Sequence, residues 1–275
     1  MPEMPEVITV VRQLEQIVLN KTITKVEVFL DKLLKNSTIQ QFELFVIGEK
    51  ITSMSNVGKF ILFELTNDKY IISHLRMTGK YATYHKMRPR MPHDYVVFTF
   101  SDNSTLYYND ARQFGTFHIK TKTELFTTEP LHKLGQIPAQ TDPHWFFNKL
   151  AKKQVPIKSA LLDQNLVLGI GNIYANEVLW ELKIHPLTPC NQIASFETAE
   201  QLLTVAQAIM DKATEEGGSS IQSYASLNGK KGNYQNFLKV HTRVNLPCYR
   251  CQNPIEKIYV QNRGTYFCSN CQKFK

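Results

Sequence analysis

The chain has 275 residues, 43% hydrophobic and 20% charged, with a net charge of +8 and a pI of about 9.1. That is enough for about two packed domains and excludes a disordered chain. No apolar run of ~18 residues exists to span a bilayer, and the acidic start MPEMPE is unlike a basic-then-apolar signal peptide. The basic balance favours a polyanion, nucleic acid or an anionic membrane surface. A cytoplasmic location is the expectation. Four of the five cysteines form two CxxC pairs and Cys190 stands apart, so in a reducing compartment the pairs read as metal ligands.

At the start of the chain, MPEMPEV admits two readings. Removal of Met1 would leave Pro2 as a secondary amine, nucleophilic near neutral pH because α-amino groups titrate near ~8. Such an amine forms Schiff bases, and Glu3 beside it is an acid suited to glycosidic cleavage. Equally, Pro followed by Glu is an ordinary helix start. Val7, Val10, Val11, Leu14, Ile17 and Val18 then recur at helical spacing, predicting an amphipathic helix to about Asn20. β-type runs follow at 24–30, 51–65, 69–84, 94–100, 105–109 and 116–120, with SDNS at 101–104 as a hairpin turn. Strands at this spacing predict a sandwich or barrel.

Gly135 and the prolines at 138 and 143 mark a domain boundary, after which helices are predicted at 144–152, 157–164, 172–184 and 196–216. Gly169 and Gly171 lead into Asn172. Two glycines at a helix start either let a phosphate approach the backbone or simply make a tight turn between helices. Residues 217–235 are rich in Gly, Ser, Asn and Lys. A polar loop of that length reads as one that orders on substrate. In the last stretch, Cys248-x-x-Cys251 and Cys268-x-x-Cys271 flank sixteen residues, 252–267. That spacing matches one structural four-thiolate zinc site. The segment is expected to depend on the metal for its fold, with YVQNRGTYF forming a β-hairpin. Lys239, Lys257 and Arg263 make it basic and suited to a phosphate backbone.

MPEMPEV, GIGNIYANE and the CxxC…CxxC finger together resemble the bacterial formamidopyrimidine-DNA glycosylase family, over essentially the whole chain. The resemblance implies an α+β multidomain protein: an N-terminal antiparallel β-sandwich with flanking helices (1–133), a helix–two-turn–helix module with a lesion-capping loop at 217–235 (134–235), and a zinc finger (236–275). It implies a monomer that removes oxidised purines from double-stranded DNA and then cleaves the strand as an abasic-site lyase, acting at the bacterial nucleoid. By motif, Pro2 corresponds to the nucleophile, Glu3 to the general acid, and Lys59 and Arg263 to residues serving the elimination steps. His74, His93, Lys153, Asn172 and Lys257 correspond to DNA contacts, and Met77, Arg112 and Phe114 to the residues that fill the gap left by an extruded base. Replacing part of the lost stacking with an apolar wedge is physically reasonable, since extrusion costs a few kcal/mol. Ala111 and Gln113 stand where the family commonly has Pro and Arg, His241 where tyrosine is common, and Met4 where leucine is usual. Two alternatives remain at this point. One is the sister endonuclease VIII branch for oxidised pyrimidines, and the other a non-catalytic DNA-binding protein on the same scaffold.

Overall fold

The computed structural model describes residues 2–193, 195–220, 227–229 and 231–274. These form two compact units, one of residues up to His132 with Glu216–Asn233, the other of Lys133–Glu215 with the segment from Tyr234 onward. The finger thus shares a unit with the helices. The described residues of the 217–235 loop up to Asn233 group with the β unit rather than with the helical module assigned to them from sequence, while Tyr234 and Gln235 stay with the helices; residues 221–226 and 230 of that loop lie outside the described residues.

In the first unit, helix α1 (Met4–Val18) follows the predicted periodicity, burying Val7, Val10, Val11, Leu14 and Val18. Two four-stranded antiparallel sheets receive it. One has the order β1-β6-β7-β5 and the other β2-β3-β4-β8. The strands are β1 (Ile23–Val28), β2 (Ile51–Val57), β3 (Phe60–Leu65), β4 (Lys69–His74), β5 (Lys80–Tyr84), β6 (Asp94–Phe100), β7 (Thr105–Asn109) and β8 (Thr116–Thr121). Their inner faces share one core, with Tyr81 edge-on to Phe63 and Tyr108 edge-on to Phe117. Helix α2 (Ile39–Val46), not foreseen, plugs this core through Phe42, which contacts Phe98 of one sheet and Phe117 of the other. Its start carries a Thr38/Gln41 capping box, each side chain closing the other's backbone N–H.

Two predicted runs are broken. The 51–65 run folds back at Gly58-Lys59, where Gly58 has φ +55. The 69–84 run leaves one sheet at His74 and enters the other at Lys80. The chain crosses between sheets again from β7 to β8. These two crossovers are neighbours, because His74 pairs with Thr116 at one side and Lys80 with Asn109 at the other.

In the second unit, helices α3 (Pro143–Ala151), α4 (Ile157–Leu162), α5 (Asn172–Glu181), α6 (Cys190–Ile193) and α7 (Phe196–Glu215) precede a hairpin of β9 (Glu256–Val260) and β10 (Arg263–Phe267). Every residue of α5 from Ile173 to Trp180 is buried, so it is the unit's central helix rather than an amphipathic surface one. Gln261 and Asn262, both at positive φ, make the two-residue turn that matches the twist of a hairpin. No helix among the described residues is long and apolar enough to cross a membrane.

Candidate functional site

Glu3 precedes the first turn of α1 and is 2% exposed; Pro2 is buried with it. The residue that fixes this start is Glu6, absent from the sequence-based site. Its carboxylate is 1% exposed and accepts from two backbone amides, Oε2 from Glu3 N at 2.8 Å and Oε1 from Ser219 N at 2.7 Å. Gly218, at φ +81, lies so close that a Cβ there would sit 2.9 Å from the Glu6 carboxylate. A side chain would therefore meet both strain and collision. Gln13 Oε1 likewise accepts from Leu227 N at 3.0 Å. One face of α1 thereby holds the polar loop at Ser219 and Leu227, which is why the loop up to Asn233 belongs to the β unit. The sequence signal for Glu6 existed in its place three residues after Glu3, the capping-box spacing.

Lys59 lies in the β2–β3 turn and is 6% exposed. His74, at the end of β4, is buried and stands edge-on to Phe60 at 4.6 Å. Burial holds its pKa down at about 3, with the positive charges of Arg76 and Lys59 adding to the effect. His74 Nδ1 accepts from Arg76 N at 2.9 Å, so the neutral ring carries its proton on Nε2 and offers a donor there.

The residues expected from the resemblance to form a wedge come from the two crossovers. Met77 is half-buried in the Leu75–Gly79 turn and not on a strand, while Arg112 and Phe114 are exposed between β7 and β8. Arg112 covers the Phe114 ring at 4.9 Å, a cation–π contact that holds both side chains together. Asp110, fully buried, organises both crossovers. Its Oδ2 accepts from Phe114 N at 2.9 Å and Gly115 N at 2.8 Å, and its Oδ1 accepts from Arg112 N at 3.2 Å and from the Thr78 hydroxyl. The Tyr108 hydroxyl occupies the space a Cβ would need at Gly79 and Gly115. Asp110 was missed because a buried acid in a turn has no periodicity to mark it. Asp110→Asn puts an amide donor against backbone donors and should cost about 1–3 kcal/mol of stability. Urea unfolding, with lesion-duplex affinity beside it, measures the effect; unchanged affinity would mean the wedge loop is held by something else.

Gln113 has a local task. Its Nε2 donates to Tyr95 Oη at 2.7 Å and its Oε1 accepts from Lys32 Nζ at 2.7 Å. The same Tyr95 hydroxyl lies 3.3 Å from Nδ1 of exposed His93. Ala111 is exposed, and nothing in the structure explains its choice.

In the second unit, Gln164 shapes the glycine loop before α5. It accepts from Gly169 N at 3.0 Å and donates to Ile170 O at 2.9 Å. With Gly169 at φ +96 and its amide committed, the tight-turn reading of these glycines prevails at that amide. Asn172 starts α5 and donates to Gly264 O at 3.0 Å, leaving its Oδ1 buried without a partner. Buried Lys158 donates to Thr265 Oγ1 at 2.6 Å in the same hairpin. Lys153 lies 3.8 Å from Asp163. Arg263 and Lys257 are exposed on the hairpin, the latter 5.2 Å from the Tyr259 ring centroid. Glu177 accepts from the backbone N–H groups of Lys239, Val240 and His241 at 2.7, 3.1 and 2.8 Å. His241 is buried, with Asn176 donating to its Nδ1 at 2.7 Å. Burial and nearby Lys158 hold its pKa at about 3.

The four thiols of Cys248, Cys251, Cys268 and Cys271 lie with all Sγ atoms within 4.8 Å of one another. A tetrahedral zinc with Zn–S of about 2.3 Å requires sulfur separations of about 3.8 Å, and Cys248–Cys271 and Cys251–Cys268 stand at 4.0 and 3.4 Å. The donor set therefore fits one zinc. With four thiolates no position is left for substrate, so the metal is structural.

Models of known families match the chain in three consecutive parts. They are the formamidopyrimidine-DNA glycosylase N-terminal domain over residues 1–117, its H2TH domain over 134–225, and the zinc finger found in FPG and IleRS over 245–273. Together they describe a zinc-finger protein of the helix–two-turn–helix class. The formamidopyrimidine-DNA glycosylase of Mycoplasmopsis pulmonis is 49% identical over 276 residues, covering 100% of this chain and 99% of that protein. The corresponding protein of Mycoplasma mobile is 44% identical, covering 99% of both. A point mutant of Lactococcus lactis FPG in complex with Fapy-dG containing DNA superposes with a TM-score of 0.93 at 37% identity, covering 99% of this chain and 100% of that one. The chain belongs to the formamidopyrimidine-DNA glycosylase family.

Proposed function

We propose that this protein excises oxidised purines, 8-oxoguanine and formamidopyrimidines, from double-stranded DNA through the amine of Pro2, and then cleaves the strand by β,δ-elimination. The observation that carries the proposal is the start of α1. Glu6 holds the Glu3 backbone with one carboxylate oxygen and the polar loop, at Ser219, with the other. The nucleophile, the acid and the loop assigned to the damaged base are thus tied to one side chain. With Met1 removed, the Pro2 nitrogen bonds to C1′ and the C1′–base bond breaks, the base leaving with the proton that the amine gives up; Glu3 then gives a proton to the deoxyribose ring oxygen as the C1′–O4′ bond breaks and the iminium forms. Lys59 and Arg263 then serve the eliminations.

Three functional segments are proposed: chemistry in 1–133, DNA positioning in 134–235 and phosphate grip in 236–275, with the lesion-capping loop at 217–235 held against α1 by Glu6 and Gln13. Lys59, His74, His93, Lys153, Asn172, Arg263 and Lys257 take the DNA backbone. Met77, Arg112 and Phe114 fill the gap behind the extruded nucleotide. The purine branch is favoured over the endonuclease VIII branch because the two mycoplasmal relatives carry the formamidopyrimidine name and related Lactococcus lactis structures hold Fapy-dG DNA or abasic-site DNA. An oxidised-pyrimidine complex also occurs for the Lactococcus lactis protein, so the test includes both lesion types. The proposed place of action is the cytoplasm, at the nucleoid.

The test is trapping. Incubation with duplexes carrying a single lesion, followed by borohydride, should give a covalent adduct with the processed chain and none with one bearing an N-terminal extension, whose Pro2 nitrogen is an amide. Full activity from an uncleaved extension would rule out the Schiff base. Binding should also be salt-dependent. Roughly five to seven neutralised phosphates predict a slope of log K on log salt of about −4.5 to −6. Arg263→Ala should flatten it by about one unit, and a slope near zero would place the interface elsewhere.

A further inference from the structure

We propose that Trp180 is the residue that secures the zinc site, by donating its indole N–H to the Cys248 thiolate and so governing how tightly the metal is held. Trp180 lies in the last turn of α5, is 4% exposed, and puts Nε1 at 3.4 Å from Cys248 Sγ. Cys248 itself is fully buried. An indole N–H is a donor only and, when buried, needs an acceptor. Here it meets a sulfur that is held as a thiolate once zinc is bound. A hydrogen bond to such an ionised acceptor is about twice as strong as a neutral one.

The surroundings strengthen that donor and fix its aim. The Arg250 guanidinium, from between the first pair of cysteines, stacks on the Trp180 ring with its central carbon 3.8 Å from the centroid. A cation over the ring draws electron density from the indole and makes its N–H a better donor. The same guanidinium donates to the carbonyl oxygens of Trp180 and Glu181 at 2.5 and 3.1 Å, and pairs with the Glu181 carboxylate at 2.8 Å. The last carbonyls of the helix are thereby capped by the loop that supplies the metal ligands. On the finger's other knuckle, buried Gln272 accepts from Cys268 N at 2.9 Å and donates to Ile184 O at 2.9 Å. Trp180, Val240, Ile255, Cys248 and Cys268 pack as one apolar cluster around this contact. Donation to a coordinated thiolate withdraws charge from sulfur. The sulfur then attracts protons and competing electrophiles less, so the protonation that frees a thiolate from zinc is slower. A phenylalanine at this place would fill most of the same volume and offer no N–H.

The experiment compares the zinc-loaded full chain with Trp180→Phe and, as a control, with Trp145→Phe, since Trp145 is 41% exposed on α3. Zinc transfer to a colorimetric chelator should be about 10–100-fold faster from Trp180→Phe, the usual effect of removing an outer hydrogen bond to a metal ligand, and unchanged from Trp145→Phe. After substitution with cobalt, the sulfur-to-metal charge-transfer band should move to lower energy in Trp180→Phe alone, because the thiolate has lost a hydrogen bond. Equal zinc-transfer rates, or an unmoved band, would overturn the proposal. Should Trp180→Phe fail to load metal, the wild-type chain decides. With cadmium in place of zinc, the Trp180 indole proton should show a scalar coupling to the metal through the Cys248 sulfur. A loaded chain without that coupling would equally overturn it.

Discussion

Glu3→Gln should lower excision of an intact damaged base by about 10²–10⁴-fold, the usual worth of a positioned general acid or base. Affinity for the lesion duplex should hardly change. The carboxamide has nearly the same size, and the backbone at Glu3 stays pinned by Glu6 at 2.8 Å. What is lost is the proton that the ring oxygen needs as Pro2 bonds to C1′. A pre-formed abasic site already presents an aldehyde, and Pro2 is still in place, so lyase activity on that substrate should persist. Pro2→Gly is the companion variant, because it keeps an amine but alters its basicity and rigidity. The measurement is the pair of single-turnover rates, on damaged base and on abasic site, for both variants. Excision by Glu3→Gln at the wild-type rate would reduce Glu3 to a helix-start residue and require another acid.

Removing zinc should abolish DNA binding and loosen far more than the finger. Metal ligation contributes on the order of 10–16 kcal/mol in such sites, and the finger has little apolar core beyond the cluster around its cysteines. From sequence alone the finger would be expected to melt by itself. The contacts of α5 make a different outcome. Asn172 at its start donates to Gly264, Asn176 and Glu177 in its middle hold His241 and the 239–241 backbone, and Trp180 at its end meets Cys248. A helix buried from Ile173 to Trp180 cannot keep those partners when the hairpin unfolds, and Glu177 would be left as a buried acid whose pKa burial already raises. Hydrogen exchange after strong chelation should therefore show lost protection along α5 as well as through residues 239–272. Amides of α1 and the two sheets should stay protected, because their core draws only on the first unit. Loss confined to the finger would mean α4 and α7 suffice to hold α5.

Much of this was legible before the structure, where a regular period or spacing carried the signal. The valines of α1 mark one helical face, and the two CxxC pairs announce their metal. What stayed hidden lacks a period. A β-type run reads alike whether the chain continues or turns, so the fold-back at Gly58-Lys59 and the sheet change at 75–79 were not separable from the strands around them. Helix α2 is eight residues long, too short to display more than two turns of pattern, though its capping box was written in Thr38 and Gln41. The candidate site divides the same way. Residues assigned through a motif's resemblance could be named by number from the sequence, whereas Glu6 and Asp110 act through backbone amides that only folding brings to them.

The paired crossovers have a mechanical consequence. A wedge driven into a base stack feels a recoil, since the unstacking of each step costs a few kcal/mol. Met77 and Phe114 each ride on a strut whose ends are anchored in different sheets, and Asp110 bolts the two struts together through Thr78 and the Phe114 and Gly115 amides. If Met77 and Phe114 form the proposed wedge, a push on either tip would pass into both sheets rather than bend one loop, although the Phe114 ring itself stands open to solvent.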